Sequence, residues 1–119
     1  MKIVKQLKIR TFLNATHATK RNKEEHPHTF EIICLVQDFE SLDLNMITEQ
    51  IENIITPLKN KYLNSVDAFQ KKDPTLENIG DYLFNIITQK LIQKQISLVK
   101  FEISDSPLRT IIFKRSKNE

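Results

Sequence analysis

The sequence predicts an α+β fold of order ββααββ, in which two helices cover one face of a four-stranded antiparallel sheet. Three observations predict it: apolar residues recur with a period of two at both ends of the chain, they recur at helical spacing in the middle, and Pro57, Pro74 and Pro107 mark breaks inside those stretches. The first segment, KIVKQLKIRTF, puts Ile3, Leu7 and Ile9 on one face of a strand and Lys8 and Arg10 on the other. The second, TFEIICLVQ, is apolar on both parities from Ile32 to Val36, the pattern of a strand covered on both faces. Ile47, Ile51, Ile54, Ile55, Leu58 and Tyr62 then fall on one helical stripe, which Pro57 is expected to kink or divide. A second helix opens at DPTLEN, with Asp73 or Thr75 as its cap and Pro74 in its first turn, and runs through Ile79, Leu83 and Ile86 towards Leu91. LVKFEIS alternates again through Val99, Phe101 and Ile103, a Ser-Pro turn follows, and RTIIFKR supplies the fourth strand.

At 119 residues the chain has the length of one domain, expected to span 1–119. With 39% hydrophobic and 28% charged residues it has the composition of a globular domain rather than a disordered one. No apolar run approaches the ~20 residues that cross a bilayer, and MKIVKQLKIR lacks the continuous apolar core of a signal peptide. Cys34 is the single cysteine, so an internal disulfide is excluded and a reducing, cytoplasmic setting is expected. The net charge of +3 admits an anionic ligand but not the basic stripe of a nucleic-acid binder. Neither a nucleic acid nor a membrane is therefore expected as a partner. A four-stranded sheet with both edges and one face open is expected to close on itself by oligomerisation.

The three histidines, His17, His26 and His28, lie within twelve residues on two adjoining strands. Residues i and i+2 of a strand point the same way, roughly 6–7 Å apart. His26 and His28 can therefore share one zinc ion, joined by His17 from the neighbouring strand. Three imidazoles with an open fourth position is the pattern of a catalytic rather than a structural zinc. Two exposed histidines at the start of a strand are the plainer alternative.

Several segments in order resemble the 6-pyruvoyl tetrahydropterin synthase / 6-carboxytetrahydropterin synthase family. LNATH is similar to its first zinc-histidine segment and HPHTFEI to its His-Gly-His followed by an aromatic. SLDLNMI resembles the segment opening its first helix, and LKNKYLN stands where the family has Leu-Asp-His-x-x-Leu-Asn. PTLEN resembles Pro-Thr-x-Glu-Asn, and FEISDS the strand that ends in Glu-Thr. The resemblance implies the tunnelling fold, assembled through its sheets into a barrel as a homohexamer, a dimer of trimers. It also implies zinc on His17, His26 and His28 and a pteridine ligand like dihydroneopterin triphosphate, or a related purine-like molecule. Asp105 stands at the place of the glutamate that receives the pterin, with Glu77 and Thr75 of the PTLEN segment as further ligand-binding residues.

The pattern is broken where the family keeps its proton-transfer groups. The cysteine expected four residues before His26 is Asn22, and the Asp-His pair is Lys59-Asn60. Cys34 lies inside an apolar strand and is no substitute. Two functions follow. In one, the protein keeps the zinc and the pteridine pocket without the usual reaction. In the other, it is a zinc-dependent lyase on a pterin side chain, with Glu24 or Glu25 as base and Lys20, Arg21 and Lys23 meeting the phosphates. A basic interaction module without metal is the third reading. A hairpin-turn role for Asp105, a helix-dipole role for Glu77 and a solvated run for Glu24 and Glu25 are the plain alternatives for those residues.

Overall fold

A computed structural model describes residues 1–115 and has the predicted order of elements. Strands β1 (Leu7–His17) and β2 (His26–Gln37) precede helices α1 (Leu44–Ile55) and α2 (Leu76–Ile92), and strands β3 (Ser97–Ser106) and β4 (Arg109–Lys114) follow. The strands form one antiparallel sheet in the order β1-β2-β3-β4. The helices pack over one face of it. Ile47, Ile51 and Ile55 of α1 and Ile79, Leu83, Ile87 and Leu91 of α2 are buried against Leu13, Phe30, Ile32, Cys34, Phe101 and Ile103. No helix among the described residues is long and apolar enough to cross a membrane.

The structure corrects the sequence reading in several places. The first strand begins at Leu7, and Ile3 is exposed outside it. Beyond that point the strand is longer than expected, reaching His17 with Ile9, Thr11, Leu13, Ala15 and His17 all turned to the helical layer and buried. In β2 only the even residues are fully buried; Ile33 and Leu35, on the other face, are half-buried. The inward residue near the start of β3 is Leu98, not Val99, because the pairing with β2 slips between Leu35 and Val36 and leaves Val99 as an extra residue. Pro57 divides the first helical stripe as expected: α1 stops at Ile55 and a short 3-10 turn, Thr56–Leu58, takes over. Tyr62 therefore lies off the helix and bridges to Thr16. Thr75 alone caps α2, its hydroxyl accepting from the Asn78 amide at 3.1 Å, and Pro74 precedes the cap instead of entering the first turn.

Gly80 marks the closest approach of α2 to the sheet. A Cβ there would sit 2.7 Å from the Phe113 ring and 3.1 Å from a methyl of Ile103. Phe113 cannot easily retreat, because it stacks on Phe84 at 5.4 Å and meets Phe101 at 5.7 Å. Helix propensity alone would favour Gly80→Ala by ~1 kcal/mol, but overpacking of this kind costs about 1–3 kcal/mol. The expected net result is destabilisation, seen as a lower denaturant midpoint at unchanged slope. A raised midpoint would mean that the aromatic cluster yields freely.

Candidate metal centre and adjoining cavity

The helical-layer face of the sheet continues past the core into a row of imidazoles. His17 pairs in register with His26, Ala15 with His28 and Leu13 with Phe30, so the core positions of β1 and β2 run directly into the three histidines. The three rings wall an open cavity near the N-terminus of α2, together with Leu76, Leu108 and Ile111. Their metal-binding atoms lie within 4.8 Å of one another, and the ring centroids are 4.4–5.0 Å apart.

Second partners of the rings favour metal ligation. His17 Nδ1 lies 2.7 Å from the Pro74 carbonyl and His26 Nδ1 lies 2.8 Å from the Glu24 carbonyl. A carbonyl only accepts, so both Nδ1 atoms carry the proton and both Nε2 atoms keep a free lone pair. Among the described residues, His17 Nε2 is buried without any hydrogen-bond partner. An orphaned imidazole nitrogen beside two other imidazoles fits a divalent transition metal, and main-chain carbonyls behind the rings are the usual support of such ligands. Zinc fits this all-nitrogen set with an open position.

The segment between the helices builds the support. Asn60 N–H donates to the Asn14 carbonyl at 2.6 Å, Thr16 N–H to the Lys61 carbonyl at 2.9 Å, and the Asn64 side chain brackets Ala18, accepting from its N–H and donating to its carbonyl. Asp73 accepts from the Lys20 amide at 2.9 Å, and its own carbonyl accepts from the Asn78 side chain at 2.7 Å. The main chain before His17 is thus held by the Lys61 carbonyl, and the main chain after it by the side chains of Asn64 and Asp73.

Burial pushes His17 below its ordinary 6.5; the neighbouring His26 and His28 add to this, while the Pro74 carbonyl and Asp105 oppose it. The unfolded chain then binds the proton more readily than the folded one. Stability of the metal-free protein is therefore fully present above pH 6.5 and is lost as the pH falls through the lower folded value. Melting curves without metal at pH 8 and pH 5.5 are expected to show the lower midpoint at pH 5.5, with a smaller difference in His17→Gln. Equal differences in the two proteins would contradict this assignment.

The cavity holds about 1000 Å³ and also borders Arg21, Asn22, Thr75, Glu77, Asp105 and Arg109. Of the residues singled out in the sequence, His17, His26, His28, Thr75, Glu77 and Asp105 are brought together here. Glu24 and Glu25 are not among its walls, nor are Lys20 and Lys23. Glu25 accepts from the Thr16 hydroxyl at 2.6 Å, and Thr16 points away from His17 by strand parity, which draws the carboxylate off the cavity side. The assignment of Glu24 or Glu25 as base therefore has no geometric support. Lys59 turns to Glu52 at 3.3 Å under α1, and Asn60 borders a separate hollow beside His28. Cys34 is fully buried and burial pushes its thiol up to about 12, so it is inert.

Sequence reasoning missed Arg109. It follows the two-residue turn after β3 and donates to Asp105 Oδ2 at 2.8 Å, while Asp105 Oδ1 is buried with no partner among the described residues. The i,i+4 spacing across the expected Ser-Pro turn was the available signal; the bulge at Asp105 that brings the two side chains together was not readable from it.

Residues 3–116 match the family model described as 6-pyruvoyl tetrahydropterin synthase. No curated protein matches the sequence. Among solved structures, the Caenorhabditis elegans 6-pyruvoyl tetrahydropterin synthase superimposes with a TM-score of 0.81 at 14% identity, over 96% of this chain and 97% of that one. The Plasmodium falciparum 6-pyruvoyl tetrahydropterin synthase gives 0.69 at 15% identity, over 94% and 98%. A catalytic-residue mutant of the Plasmodium vivax synthase gives 0.69 at 13%, over 96% and 99%. At these identities the structures speak for a common fold.

Proposed function

This chain belongs to the 6-pyruvoyl tetrahydropterin synthase family, and on that premise we propose that it binds one zinc ion through His17, His26 and His28 and holds a flat pteridine-like ring beside it against Asp105. One observation carries the reading: two buried polar atoms without partners, His17 Nε2 and Asp105 Oδ1, belong to residues that wall the same cavity. Leaving such atoms unpaired costs about 1–3 kcal/mol each, more for a charged group, so the site is built for something that pairs with both. Zinc would supply a positive centre that polarises an oxygen of the ligand. Thr75 and Glu77, at the N-terminus of α2, wall the same cavity and would contact the ligand. Arg21, also on the wall, suits a phosphate-bearing side chain.

Proton transfer is the function we expect to be weakened. Asn22 is on the cavity wall where the family keeps a thiol, and an amide is no base at neutral pH. With its one thiol buried, the protein suits a reducing, cytoplasmic environment. The test is a fluorescence titration of zinc-loaded protein with a simple pteridine. Saturable one-to-one binding is expected in the wild type, weakened roughly tenfold or more in Asp105→Asn, which removes the charge from the hydrogen bond. Equal affinity in both proteins would remove Asp105 from the site.

The same reading extends to the whole chain as one domain and to its assembly. Among the described residues the β4 edge has no strand beside it and the β1 edge is met only at Asn14 and Thr16, by residues 60–62; Ile33 and Leu35 are only half covered, and Phe12 and Ile112 are exposed on the face away from the helices. Pairing of edges between copies would close the sheets into a barrel and cover that face. Light scattering is expected to give about six times the 14.0 kDa of one chain, as a dimer of trimers. A monomer at micromolar concentration would refute the barrel.

A further inference from the structure

The face of the sheet that the helices leave bare carries a row of like charges. Lys8 stands in register with Leu35, Leu35 with Lys100 and Lys100 with Lys114, so one line across all four strands holds three lysines and a single apolar residue. These four side chains point away from the helices, because their chain neighbours Ile9, Cys34, Phe101 and Phe113 pack into the core. Lys100 and Lys114 are directly opposed, at about 5 Å between Cα atoms, and like charges so placed destabilise a sheet. Glu102 lies 3.4 Å from Lys100. Lys8 and Lys114 are exposed and meet no carboxylate among the described residues. The next cation on this face, Arg10, is taken by Glu31 at 3.2 Å. None of the three lysines borders the histidine cavity.

Closing three four-stranded sheets into a barrel turns this face inward and gathers three such rows around one channel. Eight strands make a barrel that its own side chains fill, whereas three sheets of four make a wider ring with room at its axis. Charges of one sign on the low-dielectric wall of such a channel focus their field into it and concentrate counter-ions there. Resting on the barrel reading above, we propose that the Lys8, Lys100 and Lys114 row, repeated on three chains, is a second binding site of this protein, and that it takes a small polyanion of linked phosphates. Ammonium groups bind phosphate as mobile point charges without a fixed geometry, so lysines converging from three chains suit a chain of phosphates lying along the channel. The anion offsets the opposition of Lys100 and Lys114 that the empty sheet carries. One anion per three chains is the stoichiometry of this site, against one per chain for any ligand of the histidine cavity.

The experiment is a calorimetric titration of zinc-loaded protein with inorganic tripolyphosphate and with ATP, its zinc content measured before and after, with light scattering on the same samples. The wild type is expected to bind one anion per three chains, more weakly as salt is added. Tighter binding of tripolyphosphate assigns the site to free phosphate chains and tighter binding of ATP to nucleoside-borne ones; both support it. Lys100→Gln and Lys114→Gln are each expected to weaken binding roughly tenfold or more, the scale of one charge-assisted hydrogen bond lost from each chain. Lys90→Gln, the same loss of charge on the last turn of α2, is expected to leave it unchanged. Without anion, Lys114→Gln is expected to melt no lower than the wild type, because it removes one of two opposed charges. A lower midpoint contradicts the opposition on which the site rests. With an assembly of about six chains, absence of binding, one anion per chain, or equal affinity in the wild type and both row variants overturns the proposal alone. Light scattering at the mass of one chain makes it fall together with the barrel.

Discussion

His28→Ala and His17→Ala are each expected to yield protein without stoichiometric zinc, while Glu25→Gln keeps the full complement. A zinc site with three protein ligands has no surplus donor, since the fourth position belongs to water or ligand. Losing a ring should weaken binding by more than the 10–100-fold typical of a lost outer partner. His17 carries the stronger form of the prediction. Its Nε2 is orphaned in a buried position, the Pro74 carbonyl holds its ring through Nδ1, and Asn64 holds the backbone of the next residue. Elemental analysis after gel filtration against a weak chelator reads the result. Retention of one zinc per chain in either histidine variant would place the metal elsewhere.

Synthase turnover with 7,8-dihydroneopterin triphosphate is expected to lie ~10²–10⁴-fold below that of an ordinary family enzyme, the usual contribution of general acid–base catalysis. The expectation rests on which candidate proton-transfer groups reach the histidine cavity. Asn22 supplies an amide, Cys34 is sealed in the core with its thiol pushed up to about 12, and Lys59 is drawn to Glu52. Of the carboxylates proposed from the sequence, Glu24 and Glu25 do not border the cavity, whereas Glu77 does. Product formation followed by fluorescence is the measurement. A rate equal to that of a typical synthase would require another base, and Glu77→Gln compared with Glu24→Gln and Glu25→Gln would identify it.

What the sequence disclosed and what it withheld follows from how each feature is encoded. Element order was legible because burial imposes a period, and Ile47, Ile51 and Ile55 or Phe101 and Ile103 report that period directly. The three histidines were legible for the same reason: strand parity puts His26 and His28 on one face, and the tight pairing of β1 with β2 brings His17 opposite His26. Periodicity is silent wherever the register slips. Val99 lost its inward place to Leu98 at one bulge, and Asp105 sits at another, so its link to Arg109 could not be anticipated. Loop carboxylates carry no period at all. Glu25 follows a single hydrogen bond to Thr16, a contact that depends on the path of residues 18–25 and not on any pattern within them. The cap of α2 was narrowed to two residues by chemistry, and Thr75 prevailed because Asp73 is engaged by the Lys20 amide.

The most direct measurement of the central claim is zinc-edge X-ray absorption on the purified, zinc-loaded protein. A first shell of three nitrogen scatterers at ~2.0–2.1 Å with one further light atom, and with the outer-shell features of imidazole rings, is the predicted result. A sulfur scatterer at ~2.3 Å, or a fully hydrated ion without imidazole features, would contradict it.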